Sequence, residues 1–555
     1  MSGGVQSAIR IGLLGSLAAW HICLIGMVEA FSKRPLIGTV VAFGWVLLAA
    51  LMALVGNIAA RKSASTGAAL TSGAVAGLIV GVALALLTAL VDSLNLRTIF
   101  VSATPRLVQL LAPGGLGAGL LVPVAAGLAC GLAGAGIGRI DRRWRTVILA
   151  ALLTTVLLGL LREVLVAMIP RNTARIFFTS SGLQPLGAGL ALVLSAAVTW
   201  AWITFRRTSA AAPGTPEGRL NPWRVAQFGI AALLLLTFPL WSSLFLANVV
   251  SFVGLYIIMG LGLNLVVGFA GLLDLGYVGF FAIGAYTMAV LTSPDIGLFS
   301  LNYWQALPFA LVVALVAGIM LGLPVLRMRG DYLAIATLGF GEIIRLLALS
   351  DWLKPTLGGA QGITRIARPE VGGFTFDAPQ EFYYLILAGC VLTWIVSSRI
   401  KDSRLGRAWM SIREDEDVAQ AMGINRVSAK LTAFAIGALF GGLSGSIFAA
   451  MVNSVVPTSF GLLISINVVA LIIIGGLGSL PGVVVGALVL VGLPELLREF
   501  NDYRLLVYGV VLVVMMLYRP QGLWPEESIA REMRTGTAAE PAPLMPPAPA
   551  RNTEV

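Results

Sequence analysis

Residues 403–423 read SRLGRAWMSIREDEDVAQAMG, a densely charged stretch set among long apolar runs, and that contrast decides the fold. Within it Leu405, Ala408, Trp409, Ile412, Ala419 and Met422 recur at helical steps, while Arg404, Arg407, Arg413, Glu414, Asp415 and Asp417 fill the intervening polar arc. The spacing predicts a two-faced surface helix, ended by Gly423 in a left-handed cap, with Ser428 capping the apolar helix that follows. At ~1.5 Å rise per residue such a helix would be roughly 25 to 30 Å long, enough to lie in a groove of a partner. The plainer reading is a solvated loop helix that keeps positive charge on the cytosolic side.

The flanks are membrane-like. Of 555 residues, 58% are hydrophobic and only 11% charged, against about a quarter charged in ordinary soluble domains. Mean hydropathy is +0.92. Apolar runs of the length a ~30 Å hydrocarbon core requires recur throughout, where a β-barrel would show short alternating segments. The expected fold class is therefore an all-α polytopic membrane protein, a multi-span helical bundle. The net charge of +11 is dispersed in short basic clusters between the runs, which marks topology and argues against nucleic acid as a partner. Cys23, Cys130 and Cys390 fall inside predicted spans without metal or disulfide spacing, so no metal site is expected. Residues 9–30 lack a small-residue cleavage site and are read as a retained first span.

Sixteen candidate spans form two blocks. Six lie near 9–30, 36–60, 68–91, 114–138, 146–169 and 183–205, a hydrophobic block over 1–205. A polar linker at 206–223 separates them from ten runs near 225–245, 247–268, 271–291, 306–326, 331–350, 382–400, 428–452, 463–478, 480–493 and 503–518, several Gly-rich enough to be re-entrant. Arg61 with Lys62, the run at 139–145, Arg206 with Arg207, Arg327 with Arg329, and Arg399 through Arg413 are placed on the cytosolic side by the positive-inside rule; Lys33, Arg34, Arg171 and Arg175 run against that scheme. Both termini are then cytosolic, the loop at 351–381 is external, and 526–555 is a low-complexity tail.

Read in order, LGLNLVVGFAGLLDLGYVGFFAIGAY (261–286), LRMRGDYLAIATLGFGEIIR (326–345), LGGAQGI (357–363), the charged island, KLTAFAIGALFGGLSGSIFAA (430–450), ALIIIGGLGSLPG (470–482) and YRPQGLWP (518–525) resemble the LivM-type permease of branched-chain amino-acid ABC importers. The likeness covers roughly 224–525. It implies an inner-membrane subunit paired with a second, homologous permease, two cytosolic ATPases and an external substrate-binding protein. It also implies that 403–423 is the coupling helix seated in an ATPase groove, with Arg407, Glu414, Asp415, Glu416, Ala419 and Gly423 carried over to that role. No cofactor is expected in this chain. It has no GxxxxGK[ST] phosphate loop and no Gly-Lys pair, so ATP would be used by the partner subunits and the chain itself is not expected to be an enzyme.

Gly268–Gly276, interrupted by Asp274, is the best candidate for a broken helix, since exposed backbone groups at membrane depth can line a polar path. Carboxylates in a bilayer cost ~2.5 to 3.5 kcal/mol on insertion scales, which singles out Asp274, Glu342 and Glu163. Glu342 is expected to pair with Arg345, and Glu163 elsewhere in its bundle; Asp274 has no local partner and departs from the residue type expected in the family. Asn264, Asp274, Tyr277, Tyr332 and Thr337 are candidates for a substrate path, and Gly358, Gly359, Gln361 and Gly362 for an external loop that meets the binding protein or forms a plain turn. His21 and Glu29 are eight residues apart in the first span and can meet on one helix or mark its end. Alternatives are a permease for urea or short amides, a self-sufficient secondary transporter, and a membrane-embedded enzyme, for which a single histidine offers little acid-base chemistry.

Overall fold

The computed structural model describes residues 2–33, 35–37, 41–61, 63, 65–94, 96–160, 162, 165–166, 177–179, 182–210, 229, 233–240, 242–325, 328, 330–496, 509, 513, 517 and 521–525. Among them eleven helices are long and apolar enough to cross a membrane, and three shorter apolar helices accompany them, at Pro185–Trp200, Val278–Thr292 and Leu480–Glu495. The protein is an all-helical polytopic membrane protein. The sequence offers sixteen candidate spans, several of them Gly-rich enough to be re-entrant. Three of those runs appear as shorter apolar helices among the described residues, the first of which continues to Ala210, and the run at 503–518 lies mostly outside the described residues.

The chain divides into two compact units, Met1–Gln227 with Leu497–Tyr503, and Phe228–Leu496 with Arg504–Val555. The first contains α1 (Ser2–Leu24), α2 (Met27–Ser32), α3 (Phe43–Arg61), α4 (Thr66–Ser93), α5 (Pro105–Leu111), α6 (Leu121–Arg139), α7 (Arg142–Leu160) and α8 (Pro185–Ala210), with a small hairpin of β1 (Pro35–Ile37) and β2 (Val41–Ala42). Ser65 and Thr104 cap α4 and α5 by accepting from backbone amides three residues on. Helices α4 and α6 cross backbone to backbone: a Cβ on Gly77 would lie 2.2 Å from the Gly127 carbonyl oxygen, as close packing between spans in lipid requires. Arg139 donates to the Ala60 carbonyl (3.2 Å), so the basic stretches after α3 and α6 share one end of this unit. His21 and Glu29 do not share a helix. Gly26 turns the chain at φ 84 between α1 and α2, and Glu29 accepts from Thr104 Oγ1 at 2.8 Å. Glu163 lies outside the described residues; its neighbour Arg162 donates to the Thr179 carbonyl at 3.0 Å.

The second unit holds α9 (Leu244–Leu263), α10 (Val278–Thr292), α11 (Tyr303–Val325), α12 (Asp331–Leu349), α13 (Pro379–Lys401), α14 (Arg404–Glu414), α15 (Glu416–Ala421), α16 (Arg426–Val452), α17 (Leu462–Gly475) and α18 (Leu480–Ala487). Helix α16 is the central post. Its run of alanines, glycines and serines lets α9, α10 and α11 close around it, and a Cβ on Gly284 of α10 would stand 2.2 Å from the Gly442 carbonyl. Tyr277, Phe280, Phe434 and Phe460 are fully buried in this core. Arg345 pairs with Glu342 one turn back on α12, which accounts for that carboxylate. The segment 351–381 folds into a helical turn and short strands β3 (Ile363–Thr364), β4 (Glu370–Val371) and β5 (Phe374–Thr375), with β3 antiparallel to β6 (Ser454–Val455) after α16.

Candidate functional site

Helix α9 does not run straight into α10. Its last turn widens into a π-type turn over Asn264–Phe269, and residues 270–277 are not helical. Buried backbone groups must find partners, and here each comes from somewhere different. Leu272 N bonds back to the Val266 carbonyl (3.0 Å), Leu275 N donates to Thr337 Oγ1 (3.0 Å), Gly276 N to Asp274 Oδ1 (2.8 Å), and Val278 N to Ser465 Oγ (2.9 Å). The expected interruption at 268–276 is thus a built feature held by α12 and α17.

A second break meets the first. Between α17 and α18 the chain turns at Gly476 (φ 120) and Gly478 (φ 80), and Gly478 N donates to Asn264 Oδ1 at 3.0 Å. The GLWP segment closes this break: Leu523 N and Trp524 N donate to the carbonyls of Ile474 (2.7 Å) and Gly475 (2.9 Å). The motifs at 261–286, 470–482 and 518–525, far apart in sequence, therefore come together at one place.

Four of the five candidate path residues gather there. Asn264, Asp274, Tyr277 and Thr337 are all fully buried. Tyr277 donates to the Gly437 carbonyl (2.7 Å) and Thr337 to the Ala334 carbonyl (3.0 Å), so both hydroxyls are committed to the scaffold. Asn264 Nδ2 and Asp274 Oδ2 are buried polar atoms at the breaks with no hydrogen-bond partner in the protein. Asp274 does not lie at an exposed end of its span. Tyr332 is separate, 77% exposed on α12, and does not join this group. Ser465, and Arg413, which the sequence places only on the polar arc of the charged island, are part of it; their pairing across more than a hundred residues reveals this. Among the described residues, an apolar cavity of about 290 Å³ opens between α10, α12 and the turn at Lys354–Leu357, lined by Ile283, Thr287, Leu291, Ile344 and Leu347, with Tyr286 beside them.

The charged island is two helices. Asp415 breaks it in extended geometry (φ −155, ψ 114), and its carboxylate caps α15 by accepting from Asp417 N and Val418 N, both at 2.9 Å. A single rod over 403–423 is thereby corrected: a capping carboxylate competes with the helix it would otherwise continue. Gly423 does take the left-handed form (φ 89), but Asn425 rather than Ser428 caps α16, accepting from Val427 N and Ser428 N. The inner face seats on the bundle. Trp409 is fully buried and donates to the Ala429 carbonyl (2.8 Å), Ile412 and Ala419 are buried, and Glu416 bonds the buried Lys430 of α16 at 2.8 Å. Arg407 and Glu414 are exposed, as are Leu405, Val418 and Met422, the last at 79%.

Glu416 therefore holds α15 down. Lys430→Met is expected to remove a charged hydrogen bond worth about 1.5 to 3 kcal/mol. Amide exchange across 416–421 should accelerate roughly tenfold while α9 and α10 stay protected, and unchanged exchange in α15 would show the pair to be dispensable.

In the segment 351–381, Gly358 (φ 76) and Gly362 (φ 73) make a tight turn, and a Cβ on Gly362 would stand 2.1 Å from the Val455 carbonyl. Gly359 is buried and Gln361 exposed at its tip. Nearby, hydrogen bonds from Arg365 and Thr364 hold the Asp295 carboxyl below the usual carboxylate range. No group of three or more histidine, cysteine or acidic side chains able to hold a metal occurs among the described residues.

The family described as branched-chain amino acid transport system, permease component, matches residues 245–516. The high-affinity branched-chain amino acid transport system permease protein LivM of Escherichia coli is 41% identical over 334 residues, covering 56% of this chain and 77% of LivM. A probable LivM of Methanocaldococcus jannaschii is 22% identical, covering 45% of this chain and 75% of that protein. The LivH permease of Salmonella typhimurium is 25% identical over 194 residues, 33% of this chain and 62% of LivH. No solved structure matches the chain. With two broken helices meeting in a multi-span bundle and this degree of identity to LivM, the chain belongs to the family of branched-chain amino acid transport permeases.

Proposed function

We propose that this chain is the permease subunit of an ATP-driven importer of branched-chain amino acids. It works beside a second, homologous permease, with two cytosolic ATPases and an external binding protein that delivers leucine, isoleucine or valine. The observation that carries this reading is the helix pair α14 and α15: amphipathic, seated on the bundle by Trp409 and by Glu416 with Lys430, and presenting Leu405, Arg407, Glu414, Val418 and Met422 outward. An exposed charged-apolar face on a rigid mount suits a docked motor, and the chain has no phosphate loop of its own. Asp415, Glu416 and Ala419 then act at the motor by shaping the helix pair, Gly423 by ending it.

The similarity to both LivM and LivH supports pairing with a related permease. The paired breaks offer Asn264 Nδ2 and Asp274 Oδ2 as polar partners for the charged ends of a zwitterion, and the apolar cavity lined by Ile283, Leu291 and Ile344, which no residue of the breaks lines, is a separate place for an aliphatic side chain. In this reading α14 and α15 face the cytosol, as do both termini in the inner membrane, and the turn at Gly358–Gly362 faces the binding protein. The test is uptake in proteoliposomes holding the co-purified complex. Leucine entry that needs ATP and the binding protein, and that excess urea or short amides leave unchanged, is expected; flux driven by a proton or sodium gradient through this chain alone would overturn the proposal.

A further inference from the structure

We propose that Arg413 is the positioning residue through which the cytosolic helix pair holds, and on movement resets, the break at the end of α9. This rests on α14 and α15 being the motor-facing element. Arg413 Nη1 donates to the Gly268 carbonyl at 2.6 Å, joining residues 145 apart in sequence. In a continuous helix that carbonyl would accept from the amide of residue 272, but Leu272 N has turned away to the Val266 carbonyl. The guanidinium supplies the missing donor, with the added strength of a charged group.

The contact is more than one bond. At Gly271, where the chain enters the break at φ 69, a Cβ would stand 2.9 Å from Arg413 Cγ and 3.1 Å from its Cβ, so the stem of the arginine lies against the backbone it bonds. On the far side of the same π-type turn, Asn264 accepts from Gly478 N, and a Cβ on Gly268 would stand 2.8 Å from that nitrogen. The turn is clamped between α14 and the second break. Trp409 fixes α14 to α16 one turn away from Arg413, so α14 cannot shift without either carrying Gly268 along or breaking the charged bond. A rigid helix with a single charged tether to an interrupted span is a lever with one attachment point.

The experiment compares wild type, Arg413→Gln and Arg413→Lys in the co-purified complex, measuring amino-acid uptake and ATP hydrolysis in the same proteoliposomes. Glutamine keeps part of the stem but is too short to reach Gly268; lysine keeps the length, the charge and one donor. Arg413→Gln is expected to retain assembly and ATP hydrolysis while solute moved per ATP falls at least tenfold, and Arg413→Lys to recover a large part of that ratio. If Arg413→Gln transports with the wild-type ratio, or if uptake and hydrolysis fall together in proportion to assembled complex, the tether is merely structural and the proposal fails. Should the wild-type chain hold no ATPase at all, the motor-facing reading fails first, and that result is visible before any variant is compared.

Discussion

Gly276→Ala is expected to abolish transport while leaving the chain in the membrane. A Cβ at this position would lie 1.7 Å from the Thr337 carbonyl oxygen and 2.4 Å from its carbon, and both are backbone atoms of α12 that no rotamer change can move. Overpacking of a tight contact costs about 1 to 3 kcal/mol where side chains can adjust, and here the adjustment has to come from the break itself. The loss falls on 274–278, whose amides bond Thr337, Asp274 and Ser465, so the groups holding the broken span are pulled out of register together. Uptake per inserted molecule should drop more than tenfold. Gly339→Ala on α12, the helix that Gly276 meets, is the control, because a Cβ there meets nothing within 4 Å and alanine is the better helix former. Wild-type uptake by Gly276→Ala would remove the break from the transport path.

The sequence makes some of this legible and hides the rest for identifiable reasons. Amphipathic spacing identified a surface element at 403–423, and its buried face does hold Trp409, Ile412 and Ala419, because periodicity is a local property of a helix. Its division at Asp415 was not legible: REDED is compatible with a continuous helix, and only the carboxylate turning to cap Asp417 N and Val418 N decides otherwise. The glycine and aspartate interruption at 268–276 pointed to a broken span, whereas its partners Ser465, Gly478 and Arg413 lie 145 or more residues away from it or in another helix, beyond any periodic signal. Tyr332 is the one candidate that does not join the breaks: hydropathy carries no information on which face of α12 it occupies, and it is exposed. Which runs cross fully was not legible, because Gly-rich runs such as 271–291 are apolar enough to cross yet spend their first residues on a break.

Trp409→Ala is expected to uncouple the transporter more completely than any other change in α14 and α15. The indole is fully buried, and its removal from such a site costs about 3 to 5 kcal/mol. That loss is concentrated at one joint, since Trp409 is the large side chain that seats α14 on α16. Trp409→Phe separates packing from hydrogen bonding. The Ala429 carbonyl also accepts from Thr432 Oγ1 at 2.9 Å, so losing the indole N–H leaves it served, and the bond itself contributes on the order of 1 kcal/mol. The order wild type, Trp409→Phe, Trp409→Ala should therefore hold for uptake, with a small first step and a large second one. Amide exchange should rise across 404–421 in Trp409→Ala while α10 and α16 beyond their first turns stay protected. On the proposed function, a docked motor can move the break only through a helix that does not slip on its mount. Full uptake by Trp409→Ala with α14 unprotected would mean that motion reaches the bundle by another route.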